Sequence, residues 1–144
     1  MSWLSRISNM AVDRLPSRVP PGTHMALDYG LAVVTAGFAF RCMRRNKAAA
    51  IAGFIAAGAQ LTNALITDAP GGATAVSSFR LHGRIDRGNA AMMAAMPRFM
   101  GFAGEPESRF FYAAAAASSL LTGLTDYTGT GEPAQSHALA AARE

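Results

Sequence analysis

His24 and Asp28 stand four residues apart, and His82 and Asp86 repeat that spacing. On a helix, positions four apart share a face, so each pair offers one imidazole and one carboxylate side by side. Imidazole titrates near neutral pH, and together with carboxylates it ligates divalent metals; such pairs could hold a metal or handle protons or a quinone. Asp68 and Asp126 join the candidate set because each follows an apolar run that reads as a helix, and a carboxylate at a helix C-terminus opposes the dipole and needs a partner. Two clusters are expected side by side at one end of a helical bundle, His24, Asp28 and Asp68 in one and His82, Asp86 and Asp126 in the other. A single histidine per cluster is sparse for a metal site, so the preferred role is that of interlocking helix caps. Ligand binding is the alternative.

The two clusters are related by a fixed offset. His24, Asp28, Gly30, Thr67, Asp68 and Gly71 recur 58 residues later as His82, Asp86, Gly88, Thr125, Asp126 and Gly129. The chain therefore reads as a tandem duplication, with residues 24–72 and 82–130 as the two units. Residues 1–23 precede them, 73–81 link them and 131–144 form a polar tail. A repeat that cannot bury its own apolar face must stack on its twin.

Four apolar runs supply the positioning elements: Met25–Phe40, Ala48–Thr67, Gly88–Ala103 and Phe110–Thr125. Thr23 is the candidate N-cap of the first. Arg41–Lys47 is a tight antiparallel return, and the Asp68-Ala69-Pro70-Gly71-Gly72 stretch is a strong stop. The third helix is expected to start near His82 and to kink or end early at Pro97, which lacks a donor and clashes with the preceding turn. Gly104–Ser108 forms the second hairpin loop. Gln60, Asn63 and Thr67 lie on one face of helix two, with Ser118, Ser119, Thr122 and Thr125 in corresponding places on helix four; in hydrocarbon such groups must face other helices. Met92, Met96 and Met100, four apart, read as adaptable core packing rather than a copper path. Residues 2–16 space Trp3, Leu4, Ile7, Met10, Ala11 and Leu15 as a short amphipathic helix suited to a membrane surface.

Composition supports a membrane setting. The chain is 51% hydrophobic and only 15% charged, and its charges cluster at the ends of the apolar runs. A spanning helix takes about 20 apolar residues, which the second run meets and the others approach with flanking polar residues that snorkel. The net charge of +4 belongs to arginines bordering apolar runs, as at membrane boundaries, and no nucleic-acid role is expected. The lone Cys42 excludes an intramolecular disulfide and any CxxC motif. Residues 1–23 lack the apolar core of a cleavable signal peptide. No GxSxG, HExxH, P-loop or GxGxxG pattern occurs, and no nucleophile is visible, so catalysis is not expected and no cofactor is specified.

The segments THMALDYG, LITDAPGG, RLHGRIDRG and PRFMGF, in that order across residues 20–130, resemble the small bacterial SPW-repeat-like membrane proteins of unknown function. In these an H-x-x-x-D-x-x-x-G helix start and an L-T-D-Y turn repeat. Met96-Pro97-Arg98 stands where the family carries Ser-Pro-Trp. The resemblance implies a four-helix, two-repeat integral membrane protein and supplies no substrate. The expectation is thus an all-α protein with four transmembrane helices, built as a tandem repeat of two-helix hairpins after a short amphipathic N-terminal helix. It would be multi-pass in the bacterial inner membrane, a structural or accessory component in contact with the lipid bilayer and with other membrane subunits or copies of itself.

Overall fold

The computed structural model describes residues 19–127; the amphipathic segment expected at 2–16 and the tail after 131 lie outside the described residues. Four helices follow in order: α1 Pro21–Cys42, α2 Lys47–Leu65, α3 Phe79–Phe99 and α4 Ser108–Leu124. Between α2 and α3 lie two short strands, β1 Thr67–Asp68 and β2 Ser77–Ser78. Helix α1 packs on α2, α3 on α4, and α2 on α3.

Local chemistry sets the helix ends. Helix α1 starts at Pro21, with Pro20 as N-cap, rather than after Thr23. Proline at the first helical position loses no hydrogen bond and already has the helical φ, so the helix begins two residues before that threonine. Asn46 caps α2 by accepting from the Ala49 amide, and its side-chain amide donates to Glu105 at 3.2 Å, tying together the two hairpin turns. Ser78 caps α3 by accepting from the Leu81 amide, which moves the start upstream of His82 to Phe79. Pro97 does not end α3, which runs through it to Phe99; the stop is Gly101, whose φ of +80° turns the chain so that the Phe102 amide donates to the Pro97 carbonyl at 2.8 Å, the usual glycine end of a helix.

At the opposite end of the bundle the chain closes on itself. Strand β1 pairs with β2 in parallel, Thr67 with Ser77 and Asp68 with Ser78, and a parallel bridge joins Val19 to Thr125. The Ser77 amide donates to the Ile66 carbonyl at 2.9 Å and the Val19 amide to the Leu124 carbonyl at 3.2 Å, bonds that correspond position by position at the 58-residue offset. The segment leaving each hairpin thus pairs with the one entering the other.

The interior is small or polar, and much of the bulk faces out. Ala39, Ala49, Ala52 and Ala56 are wholly buried beside Met93, Phe102 and Phe111; Met96 is buried there too, with Met92 and Met100 packed on its edge. Val33, Phe40, Ile51, Ile55 and Leu120 are exposed. Helices α1 and α2, of 22 and 19 residues, are long and apolar enough to cross a membrane. Helix α3 carries exposed Arg80, Arg84 and Arg87 in its first turns, and α4 has 17 residues, about 26 Å at 1.5 Å per residue.

Close approach of α1 and α2 depends on Gly53, where a Cβ would lie 2.8 Å from that of Ala39. Gly53→Leu should lower thermal stability in detergent by about 1–3 kcal/mol, the usual cost of overpacking. Gly58→Ala, on the same helix with nothing within 4 Å of the added carbon, should be neutral or stabilising by up to about 1 kcal/mol. Melting curves of the two variants check both expectations.

Candidate functional site

Each histidine enters the site from the first two turns of a helix that begins at the paired end of the bundle, and each aspartate follows one turn later. His24 and His82 have no exposed surface, and Asp28 and Asp86 are 6% and 5% exposed. They form one centre instead of two. His24 Nε2 lies 3.0 Å from Asp86 Oδ2 and 3.2 Å from Asp28 Oδ2; His82 Nε2 lies 2.8 Å from Asp28 Oδ2 and 3.1 Å from Asp86 Oδ2. In both cases the contact across to the other helix is the shorter. The two Nε2 atoms are 3.3 Å apart. This four-residue group is the one among the described residues that could hold a metal ion.

Asp68 and Asp126 are exposed and stand outside this group, and the threonines before them take the inward positions. Thr67 Oγ1 lies 2.8 Å from His82 Nδ1, and Thr125 Oγ1 lies 2.8 Å from His24 Nδ1. Each hydroxyl gives its one proton to the carbonyl four residues back, Thr67 to Asn63 and Thr125 to Leu121. Having spent that proton, the oxygen can only accept, so each Nδ1 must carry hydrogen and donate. Both rings therefore turn Nε2 to the centre. The threonines were detectable in the sequence, since Thr67 and Thr125 are one of the six residue pairs that recur at the 58-residue offset.

Three further residues complete the shell. The Asn63 side-chain amide donates to Asp86 Oδ1 at 2.7 Å and to the His82 carbonyl at 3.3 Å. Phe79 stacks on His82 with ring centroids 5.7 Å apart and meets His24 edge-on. Tyr127 places its hydroxyl 3.2 Å from His24 Nε2 and its ring against Phe79. Burial raises the pKa of that phenol, so Tyr127 keeps its proton and can donate. The ring fits because residue 83 is glycine; a Cβ there would lie 2.5 Å from Tyr127 Cε1. Position, not type, marks Phe79 and Tyr127, and no spacing in the sequence points to them.

Of the polar residues expected on the second and fourth helices, Gln60, Asn63, Thr67, Ser118, Thr122 and Thr125 are buried, with Thr67 and Thr125 just beyond the helix ends, in extended backbone. Ser119 is exposed and donates to the Ala115 carbonyl. Chemically the centre balances two carboxylates with either two imidazolium protons or one divalent cation. No protein-family model matches the chain, and neither does any curated protein or solved structure.

Replacing a threonine that orients a ring should cost more than replacing the aspartate beside it. Thr67→Val and Thr125→Val should each lower stability by about 1–2 kcal/mol, the loss of a buried hydrogen-bond partner. Asp68→Asn, at an exposed position, should stay within about 0.5 kcal/mol. His24→Ala or His82→Ala, which strands buried carboxylates, should cost about 3–5 kcal/mol. Thermal unfolding of the purified variants in one detergent ranks them.

Proposed function

We propose that this chain is a multi-pass protein of a bacterial inner membrane, its four helices all crossing the bilayer as two duplicated hairpins, and that it serves as a non-enzymatic structural or accessory component of a membrane assembly. The observation that carries the reading is the distribution of side chains. In water, large apolar residues fill a core and polar ones cover it. Here Val33, Val34, Phe40, Ile51, Ile55 and Leu120 are exposed, while histidine, aspartate, asparagine and threonine lie inside among alanines. Without a hydrophobic drive between helices, contact in lipid comes from small residues and interhelical hydrogen bonds, the two things this interior contains.

Charge placement agrees with the apolar band. Arg80, Arg84 and Arg87 are exposed toward the paired end, and Arg41, Arg44, Arg45, Lys47, Arg98 and Arg109 toward the other. Long cationic side chains at both limits can snorkel to headgroups, which lets the shorter α4 and the arginine-bearing α3 reach across. The resemblance of the THMALDYG and RLHGRIDRG segments to SPW-repeat-like membrane proteins, read from the sequence, implies the same arrangement. The buried imidazoles leave no open face for a substrate, so the reading favours holding helices together and offering the apolar exterior to lipid, to other membrane subunits or to further copies of the chain.

The protein should remain in the membrane pellet on alkaline carbonate washing and need detergent for release; a monodisperse protein in detergent-free buffer would overturn the reading. In a Cys42→Ser background, Thr74→Cys and Ala103→Cys, both exposed and at opposite ends of the bundle, should react with an impermeant thiol reagent from opposite sides. A stoichiometric membrane partner or self-assembly in mild detergent extracts supports the accessory role, and a solitary monomer after crosslinking in native membranes counts against it.

A further inference from the structure

We propose that His24, Asp28, His82 and Asp86 bind one divalent cation of the zinc class, held between α1 and α3 by the two Nε2 atoms and the two Oδ2 atoms. The argument starts from the threonines. Because each Nδ1 is committed as a donor to Thr67 or Thr125, each neutral ring presents a lone pair on Nε2, the metal-binding tautomer, fixed by a hydrogen bond from the far nitrogen as in ligating histidines generally. Two nitrogen lone pairs and two carboxylate oxygens then converge. Five of their separations lie between 2.8 and 3.3 Å, and the four residues each offer a ligand atom within 4.8 Å of the others.

Four electron-rich atoms at that range repel unless positive charge lies among them. Two protons, one per ring, would supply it, but they leave two cationic nitrogens 3.3 Å apart and directed at the same pair of oxygens. One divalent cation removes that repulsion, neutralises both carboxylates and leaves the buried centre with no net charge, the condition under which burial of charge is tolerable. The dimensions agree. Zinc bonds to imidazole nitrogen and carboxylate oxygen of about 2.0–2.2 Å put tetrahedral donors roughly 3.3–3.5 Å apart, so these five separations need to widen by at most about 0.7 Å. Calcium and magnesium favour six or more oxygen ligands, and soft copper(I) favours sulfur; neither matches two nitrogens and two oxygens. Asn63, on Asp86 Oδ1 at 2.7 Å, and the two threonines form the outer shell that such a site requires. Each hairpin contributes one histidine and one aspartate, so the ion would bridge the two.

The test uses the full chain in mild detergent, purified without a histidine tag, stripped with chelator and titrated with Co2+. One equivalent per chain is expected, with the intense visible bands of four-coordinate Co2+ bleached by one equivalent of Zn2+. Asp28→Asn and Asp86→Asn should each abolish the bands, Asp68→Asn should leave them unchanged, and Thr67→Val or Thr125→Val should weaken binding about 10- to 100-fold. Should the ligand variants fail to fold, the stoichiometry and spectrum of the unaltered chain and of Asp68→Asn decide the matter. A folded, stripped chain that takes up clearly less than one equivalent, or whose cobalt spectrum survives Asp28→Asn or Asp86→Asn, would overturn the proposal and assign the centre to two protons. Neither result bears on membrane insertion, which carbonate washing reads separately.

Discussion

Two contacts made between the helix pairs, His24 with Asp86 at 3.0 Å and His82 with Asp28 at 2.8 Å, are the constraint that the surrounding structure serves. Removing ionisable groups from water costs several kcal/mol for each one that stays charged, and attraction between partners repays it only when the geometry is good and the remaining donors and acceptors are satisfied. The neighbours of the centre do that work. Thr67 and Thr125 occupy both Nδ1 atoms, Asn63 occupies an oxygen of Asp86, and Phe79 and Tyr127 cover the rings.

Helix α2 reaches the centre through Asn63, and the extended segments that leave α2 and α4 reach it through Thr67 and Thr125, so all four helices are tied to one point although only α1 and α3 carry its ionisable groups. The exchanged ladders reinforce this, since each holds the exit of one hairpin against the entrance of the other at the level of the centre. The far end is held differently, by Phe102 and Phe111 against Met93 and a floor of alanines, and by the Asn46 to Glu105 bond between the turns. One end is fixed by directional polar contacts and the other by packing. On the membrane reading this division has a physical basis: polar groups without water must find their partners on other segments of the chain, and small residues allow the backbone approach that dispersion requires.

The helices themselves were legible. Apolar runs bounded by Pro, Gly and charge located all four, the return at Arg41–Lys47 and the stop at Asp68–Gly72, whereas α3 runs through Pro97 and stops at Gly101. Helix starts were less so. A serine cap at Ser78 and a proline at Pro21 moved two of them upstream, because a favourable first turn can extend a helix past the edge of its apolar run. The arginines of α3 and the shortness of α4 likewise leave two helices, α1 and α2, that meet a spanning criterion by themselves, where the runs had implied four.

By itself the sequence determined the currency of the site: histidine and aspartate one turn apart, twice, at the helix starts, with a threonine and an aspartate at each return. Spacing within a helix is a local property, so it can be read without the fold. Which residue at each return faces inward is not local. Thr67 and Asp68 lie in an extended segment, where successive side chains point to opposite faces, and pairing with Ser77 and Ser78 turned the threonine to the centre and the aspartate outward. Thr125 is set the same way by its bridge to Val19. Only tertiary structure could also merge two expected clusters into one, because the cross-pairing of His24 with Asp86 and of His82 with Asp28 depends on how closely the two hairpins approach, a distance fixed by packing between segments far apart in the chain.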